Sequence, residues 1–428
     1  TFTKIEGIMK TLPLFRPEQI PPRVRFEKLF SHLPPWDQKI SIRGRPPFAR
    51  EAVLRALIYQ RLRGLPSLTD LAFELENNPS VAAACEFPTF QHPPSRERFS
   101  CFLRTTAHED LQELRKKLVR TLVEEKIVTG GILALDSCAI EANVRQNNLK
   151  TSVKDRFDKT KFPRGDPDAR LGVKIHFLQP FQPKVAFFWG YRNHIVIDTQ
   201  SELPIYEITY PNDRDEKKVA VAMLREVSTM ALPVSAVTGD ANYDCEDILS
   251  YIALEMKAQP IIPLNPRRSK SDSFRLQKDA AFCPADLPMH RKGRMRSKGR
   301  VYLQYTCPLH WDKAYQGKYL LCPAGHPKFS SQKGCNYLLR LSPSIRDTID
   351  YGSQRFKMIY NQRCSVERGF SRLLAITMQN PTVVGWKATR NHCTIAHITM
   401  LLVALAAHRE GFPDKIRYVK SFLPRYLV

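Results

Sequence analysis

A chain of 428 residues can bury a large core and is expected to divide into two or three domains. Its 43% hydrophobic and 25% charged residues are the proportions of a soluble globular protein, and its longest apolar run, Thr394 to Ala407, is interrupted by His397 and too short to span a bilayer. A net charge of +24 and an isoelectric point near 9.7 imply a polyanionic partner, nucleic acid first and an anionic membrane second.

The amino end lacks the basic region, apolar stretch and cleavage site of a signal peptide. Ten cysteines without such a signal then read as reduced thiols in the cytoplasm. Residues 1–46 are Pro-rich, end in a basic stretch at Arg43 to Pro47, and read as an arm or linker.

From Phe48 to Val128 the spacing of apolar residues is helical, giving an all-α unit over 47–128. Ala49 to Arg63 is stopped by Gly64 and Pro66, and Ser67 caps the next helix with Asp70 as its capping-box partner. A third short helix, Ser95 to Leu103, carries Arg96 and Arg98 on its exposed side. Three short helices of this kind suit a DNA-binding helix-turn-helix, and equally a helical cap that touches no DNA. Asp110 to Lys126 continues as a longer amphipathic helix.

At Gly130 the period changes. A short apolar strand ends at Asp136, followed by a polar, basic stretch from Asn143 to Arg170 whose length suggests a functional or mobile loop. Val185 to Asp198 and Leu203 to Tyr210 form a meander with the first strand. Asp215 to Met230 reads as a helix, and Leu232 to Thr238 is a strand that delivers Asp240 at its end. Asp244 and Asp247 read as caps of a helix over Asp244 to Lys257, and Pro260 to Pro263 is a fifth strand. His194 reads as a buried structural histidine with access to the site as the alternative. With Glu367 on a later helix, this order is a ribonuclease H-like arrangement. It is a mixed five-stranded sheet flanked by helices, over 129–264 and 346–411.

Asn265 to Ser344 exceeds what the fold needs and reads as a β-rich insertion, here bounded at 265–345. It carries Arg291, Lys292, Arg294 and Arg296, with Tyr302, Tyr305, Trp311, Tyr315 and Tyr319 following. Basic residues interleaved with aromatics suit a groove that follows phosphates and stacks bases, with a charged hairpin around a small aromatic core as the alternative. Cys283, Cys307, Cys322 and Cys335 cluster there and suggest structural Zn²⁺, with free thiols as the alternative, since no Cys-x2-Cys knuckle is present. Trp386 to Arg409 reads as a long buried helix and 412–428 as a basic tail.

Met358 to Leu374 organises the rest. As one helix it would line Tyr360, Arg363 and Glu367 along a face, a phenol, a phosphate-binding fork and a carboxylate. Phosphodiester chemistry needs an attacking oxygen deprotonated and developing negative charge neutralised. Two Mg²⁺ or Mn²⁺ ions about 4 Å apart meet both needs, held by Asp136, Asp240 and Glu367.

The run YNQRCSVERGF resembles the Tyr-x2-Arg-x3-Glu signature of bacterial insertion-sequence transposases of the DDE class. LALDSCAIEANV resembles their first-Asp strand, GDPDAR the loop after it, WGYRNHIVIDTQSELPIYEIT the central meander and VTGDANYDCEDI the second-Asp segment. RGRPPFAREAVLRALIYQRLRGLPSLTDLAFEL resembles their helical amino-terminal domain, so the similarity runs from about residue 43 to 410. It implies metal ligation by the three acids, with Asp136 shared between the metals, and contacts from Tyr360 and Arg363 to phosphates of the transposon ends. It also implies double-stranded DNA as partner, a homodimer on paired ends, and a nucleoid-associated cytoplasmic enzyme. The family often has Lys where this chain has Leu374, and Arg372 or Lys387 is then a candidate replacement. A ribonuclease H-like nuclease without strand transfer and a domesticated DNA-binding protein are the alternatives.

Overall fold

The computed structural model describes residues 22–36, 48–88, 92–179, 182–265, 274–277, 280–297, 299–327, 329–330 and 334–426. The basic stretch at Arg43 to Pro47 lies outside them.

The first described residues form helices. α1 (Pro22–Phe30) puts Phe26, Leu29 and Phe30 into the core, so this part of the expected arm is packed structure. α2 (Arg50–Arg63) ends where Gly64 takes φ +67°, the left-handed conformation that glycine adopts without a Cβ penalty. α3 (Leu68–Asn77) starts with the expected capping box, Ser67 Oγ accepting from Asp70 N at 3.1 Å while the Asp70 carboxylate accepts from Ser67 N at 3.0 Å. α4 (Pro79–Ala84), α5 (Arg96–Thr105) and α6 (His108–Glu124) follow.

The sheet contains β1 (Ile132–Glu141), β2 (Arg170–Gln179), β3 (Gln182–Asp198), β4 (Leu203–Pro211), β5 (Ala236–Thr238) and β6 (Gln259–Ile261), with order β2-β3-β1-β5-β6 and β4 also paired to β3. β1 is antiparallel to β3 and parallel to β5, so the sheet is mixed. β3 is long because two partners share its outer edge, β2 against residues 182–190 and β4 against 191–198. β2 is a sixth strand where five were expected. Gly190 is the junction, pairing with Glu141 on one side and Arg170 on the other. A Cβ there would lie 2.1 Å from Ile140 O, so only glycine fits.

α7 (Glu216–Ser228) is capped by Asp215, and α8 (Glu246–Ser250) runs into a wider turn at Tyr251–Glu255. After the insertion come α10 (Gln354–Asn361), α11 (Cys364–Ala375), α12 (Trp386–Arg409) and the short α13 (Phe422–Arg425), α9 (Pro308–Trp311) lying within the insertion. α12 is apolar on almost every side because it is enclosed by α6, β4 and α5. Among the described residues it alone is long and apolar enough to cross a membrane, yet 89% of that window is buried inside the protein.

One continuous core runs from Phe26 to Leu423, taking in the amino-terminal helices, the sheet and α12. The carboxyl tail joins it through Val419, Phe422 and Leu423, and so is not a free basic extension. The insertion has a separate small core.

Candidate active site

Parallel pairing of β1 with β5 places Ala134 beside Thr238. Asp136 stands two residues further along β1, while β5 ends at Thr238 and Asp240 follows two residues later as the cap of a short turn, near enough for its charge to act on Asp136. In the antiparallel ladder Asp136 pairs with Ile195 and Ser137 with His194, so Asp136 and His194 face opposite sides of the sheet. His194 is buried, its imidazole pushed down to about 3 by burial and by Arg192. It is structural.

The third acid arrives differently from expectation. Tyr360 and Glu367 do not share one helix. α10 ends at Asn361, and a turn at Gln362 and Arg363 precedes α11. Arg363 sits at this break and bridges two of the acids, with Nη2 2.6 Å from Glu367 Oε1 and Nη1 3.6 Å from Asp136 Oδ2. Its guanidinium also lies 5.9 Å from the Tyr360 ring centroid.

Burial raises the Asp136 carboxyl to about 7, and the charges of Asp240 and Glu367 add to the rise, while Ser137 N–H, donating at 2.7 Å, and Arg363 oppose it. Asp240 is held by Asn242, whose backbone N–H donates at 3.0 Å and side-chain amide at 3.1 Å. The Glu367 side chain is 56% exposed.

Among the described residues no group of three or more His, Cys, Asp or Glu stands close enough to hold a metal ion. The expected convergence of the three acids into a ligand set is therefore incomplete in this structure. The donor chemistry nonetheless fits hard divalent cations. These are oxygen ligands in a mutually repelling cluster, and a positive guanidinium already sits between two of them.

The acids rest on ion pairs that no spacing in the sequence reveals. Glu202, buried at the β3–β4 turn, takes Arg368 Nε at 2.8 Å, Arg372, and Arg417 at 3.5 Å, pinning α11 to the sheet. Arg368 is thus committed to Glu202 rather than to Glu367. Arg372 is equally occupied and is not free to replace the Lys expected at position 374. Lys387 remains exposed at the start of α12.

Asp244 is not the helix cap expected, because Cys245 holds that position. Its carboxylate accepts from Arg346 Nε at 2.7 Å and from Asn265 N at 3.1 Å. Glu246 takes Arg340 in a two-pronged pair at 2.6 and 2.7 Å. These contacts tie the Asp240 loop to the insertion.

In the insertion, β7 (Arg275–Gln277) pairs with β8 (Ala280–Phe282). β9 (His290–Ser297), β10 (Arg300–Thr306) and β11 (Asn336–Arg340) form a second sheet with β9 at its edge. A bulge at Lys292 shifts the register so that Arg291, Arg294 and Arg296 pair with Tyr305, Leu303 and Val301 and share one face. All four basic residues are exposed. Tyr305 is core, whereas Trp311 is 47% exposed with the Lys292 ammonium 4.8 Å from its ring centroid. Arg96 and Arg98 are exposed on α5, away from the insertion's core.

The zinc expectation gains no ligand set. Cys283, Cys307 and Cys335 are buried together as apolar groups, and Cys322 is not in that core. Burial, then the neighbouring Cys307 and Cys283, push the Cys335 thiol well above its ordinary value, which favours the protonated form.

A family model described as Transposase DDE domain matches residues 157–402, more than half of the chain, including Asp240 and Glu367 but beginning after Asp136. A second, described as Transposase domain (DUF772), matches residues 15–105. No curated protein sequence matches the chain. Among solved structures, a piggyBac transposase synaptic complex with hairpin DNA aligns over 96% of this chain and 81% of that one, at 13% identity and a TM-score of 0.37. Likeness of that order assigns no residue a role.

Proposed function

Because the chain belongs to the Transposase DDE domain family, it is an insertion-sequence DNA transposase that cuts and joins strands with divalent metal ions, and we propose Asp136, Asp240 and Glu367 as its catalytic acids on a ribonuclease H-like sheet. The observation that supports this is the ion pairing of Arg363 with both Asp136 and Glu367, together with the charges of Asp240 and Glu367 that act on Asp136 beyond the parallel pairing of β1 with β5.

In the first step water attacks phosphorus at the element's end, the bond to the 3′ oxygen breaks, and a 3′-OH is released. In the second that hydroxyl attacks a target phosphate and displaces another 3′ oxygen. Mg²⁺ or Mn²⁺ held by the three carboxylates would lower the pKa of the attacking oxygen and neutralise charge developing on the phosphate. The chain's own contribution is to orient and to exchange charge. Arg363, now paired to Glu367 and Asp136, turns its fork to the incoming phosphate and so frees both carboxylates, while the Tyr360 ring supports the guanidinium. Glu202 keeps α11 in place throughout through Arg368 and Arg372. Paired ends need two such sites, so the working species is a homodimer on DNA.

A duplex carrying the DNA that flanks its own gene, incubated with a target plasmid and Mg²⁺, should yield joined end–target products. Nicked or cut DNA without joining would favour a nuclease and overturn the transposase reading of these residues.

Exchange of Arg363 between acids and phosphate has its own signature. Arg363→Ala should raise Mn²⁺ affinity of the DNA-free protein about tenfold, by removing a ~1.4 kcal/mol competitor, and should lower affinity for end DNA by a similar factor. Titration calorimetry reads the first and a gel-shift titration the second. Mn²⁺ binding that stays the same or weakens rules out the competition.

A further inference from the structure

The segment between β1 and β2 is polar and basic, without helix or strand, and it is nonetheless built around a single side chain. Arg156 donates from Nη1 to the carbonyls of Gln146 at 2.7 Å and Asn148 at 2.8 Å, and from Nη2 to Thr151 O. Asn147 locks the segment to β3, donating to Ala142 O at 2.8 Å and Trp189 O at 2.7 Å and accepting from Trp189 N at 2.8 Å. The Trp189 indole closes the ring by donating to Arg156 O at 2.8 Å. With its backbone polar groups satisfied in this way, the loop holds a fixed shape.

That shape encloses a cavity of about 720 Å³, with Arg145, Lys154, Arg164 and Phe162 among its walls. The acids at hand are already engaged, since Lys161 pairs with Asp155 at 2.9 Å and with Asp158 at 3.7 Å. Arg145, Lys154 and Arg164 are exposed, and among the described residues none has an acid partner. Three cations without an acid partner among the described residues, on one rim next to exposed Phe162, are suited to meet phosphates.

The geometry of β1 says which phosphates. Asn143, on the cavity wall, lies seven residues after Asp136, five of them in extended β1 and two beyond it, a span of about 20 Å, since extended chain covers roughly 3.3 Å per residue and the two residues past β1 less. A duplex rises about 3.4 Å per base pair, so that distance corresponds to roughly six base pairs. Resting on the assignment of Asp136 to the cleavage centre, we propose that the Arg145–Lys154–Arg164 cavity binds the duplex backbone roughly six base pairs from the phosphate that is cut. It would fix the angle at which the DNA crosses the sheet, through contacts that read no base.

The test uses the full chain and a duplex carrying the sequence that flanks its own gene. The triple variant Arg145→Ala, Lys154→Ala, Arg164→Ala changes only exposed side chains, and its melting temperature is measured beside the wild type as the check on folding. Three lost phosphate contacts should reduce the slope of log affinity against log salt by about 2.7. Ethylation interference at phosphates roughly six base pairs from the cut should disappear, while interference at the cut itself persists. On a duplex shortened to end before those phosphates, wild type and variant should bind alike. A slope unchanged within about 0.5, or a difference that persists on the shortened duplex, overturns the proposal. Cleavage by the wild type in parallel separates the two readings, because an inactive wild type challenges the assignment of Asp136 and an active one leaves only the cavity in question.

Discussion

Asp136→Asn, Asp240→Asn and Glu367→Gln are each expected to lower Mg²⁺-dependent cleavage at least about a thousandfold, roughly 4 kcal/mol of barrier, while affinity for end DNA stays near wild type. Asp136→Asn should show a further effect that distinguishes a catalytic acid from a structural one. Its carboxyl is raised to about 7, first by burial and then by Asp240 and Glu367. A carboxyl raised on folding costs stability as pH climbs from its unfolded value near 4 to its folded value near 7. Removing that charge should therefore stabilise the metal-free protein at pH 8 by ~1–3 kcal/mol, read as a higher melting temperature. A variant that loses stability along with activity would mark Asp136 as a structural anchor, and one that cuts normally would remove it from the site.

The second large effect is acid sensitivity. Burial lowers His194 to about 3 and His397 to about 4, and it also lowers His108 and His392. A histidine whose folded pKa lies below its unfolded value near 6.5 keeps its full contribution above that value and loses it as pH falls toward the folded pKa. His194, His392 and His397 act together here, with His108 shifted in the same direction, opposed by the single proton that Asp136 takes up on folding. The net is about two protons, so stability should drop by roughly 3 kcal/mol per pH unit around pH 5. Native stabilities are about 5–15 kcal/mol, so cooperative unfolding near pH 5 is expected by far-ultraviolet circular dichroism. His397→Gln should flatten the slope by about one proton. A stability that is level between pH 7 and 5 would refute the account.

Two of these histidines, His108 and His397, belong to a buried polar layer between the sheet and α12. Glu207 has no solvent access and accepts from Gln112 at 2.6 Å, Asn193 at 2.9 Å and Thr394 at 2.7 Å. His397 Nε2 donates to Asn193 Oδ1 at 3.0 Å. Every group in such a layer depends on the others, which is why one added proton is costly. The amino end of α12 is held in a comparable way, with Asp166 accepting from Gly385 N at 3.1 Å and Asp168 from Trp386 N at 3.0 Å. This gives the GDPDAR run a structural role as a helix cap supplied from more than two hundred residues away.

Much of the fold is legible in the chain itself, because the forces involved are local or periodic. The capping box at Ser67, the stop at Gly64, the strands that carry Asp136 and lead to Asp240, the break into a β-rich insertion and the buried character of α12 each follow from residue type and spacing over a few turns, although β1 runs on to Glu141 rather than ending at Asp136. The order of the motifs along the chain likewise points to the family. Tertiary structure alone decided the break at Arg363 and the pairing of Arg368 and Arg372 with Glu202. It also decided the docking of α1 and the tail into the core, the extra strand β2 and the cavity around Arg156. Each depends on a partner distant in sequence, and a charged side chain carries no mark of which opposite charge it will meet once the chain has closed upon itself.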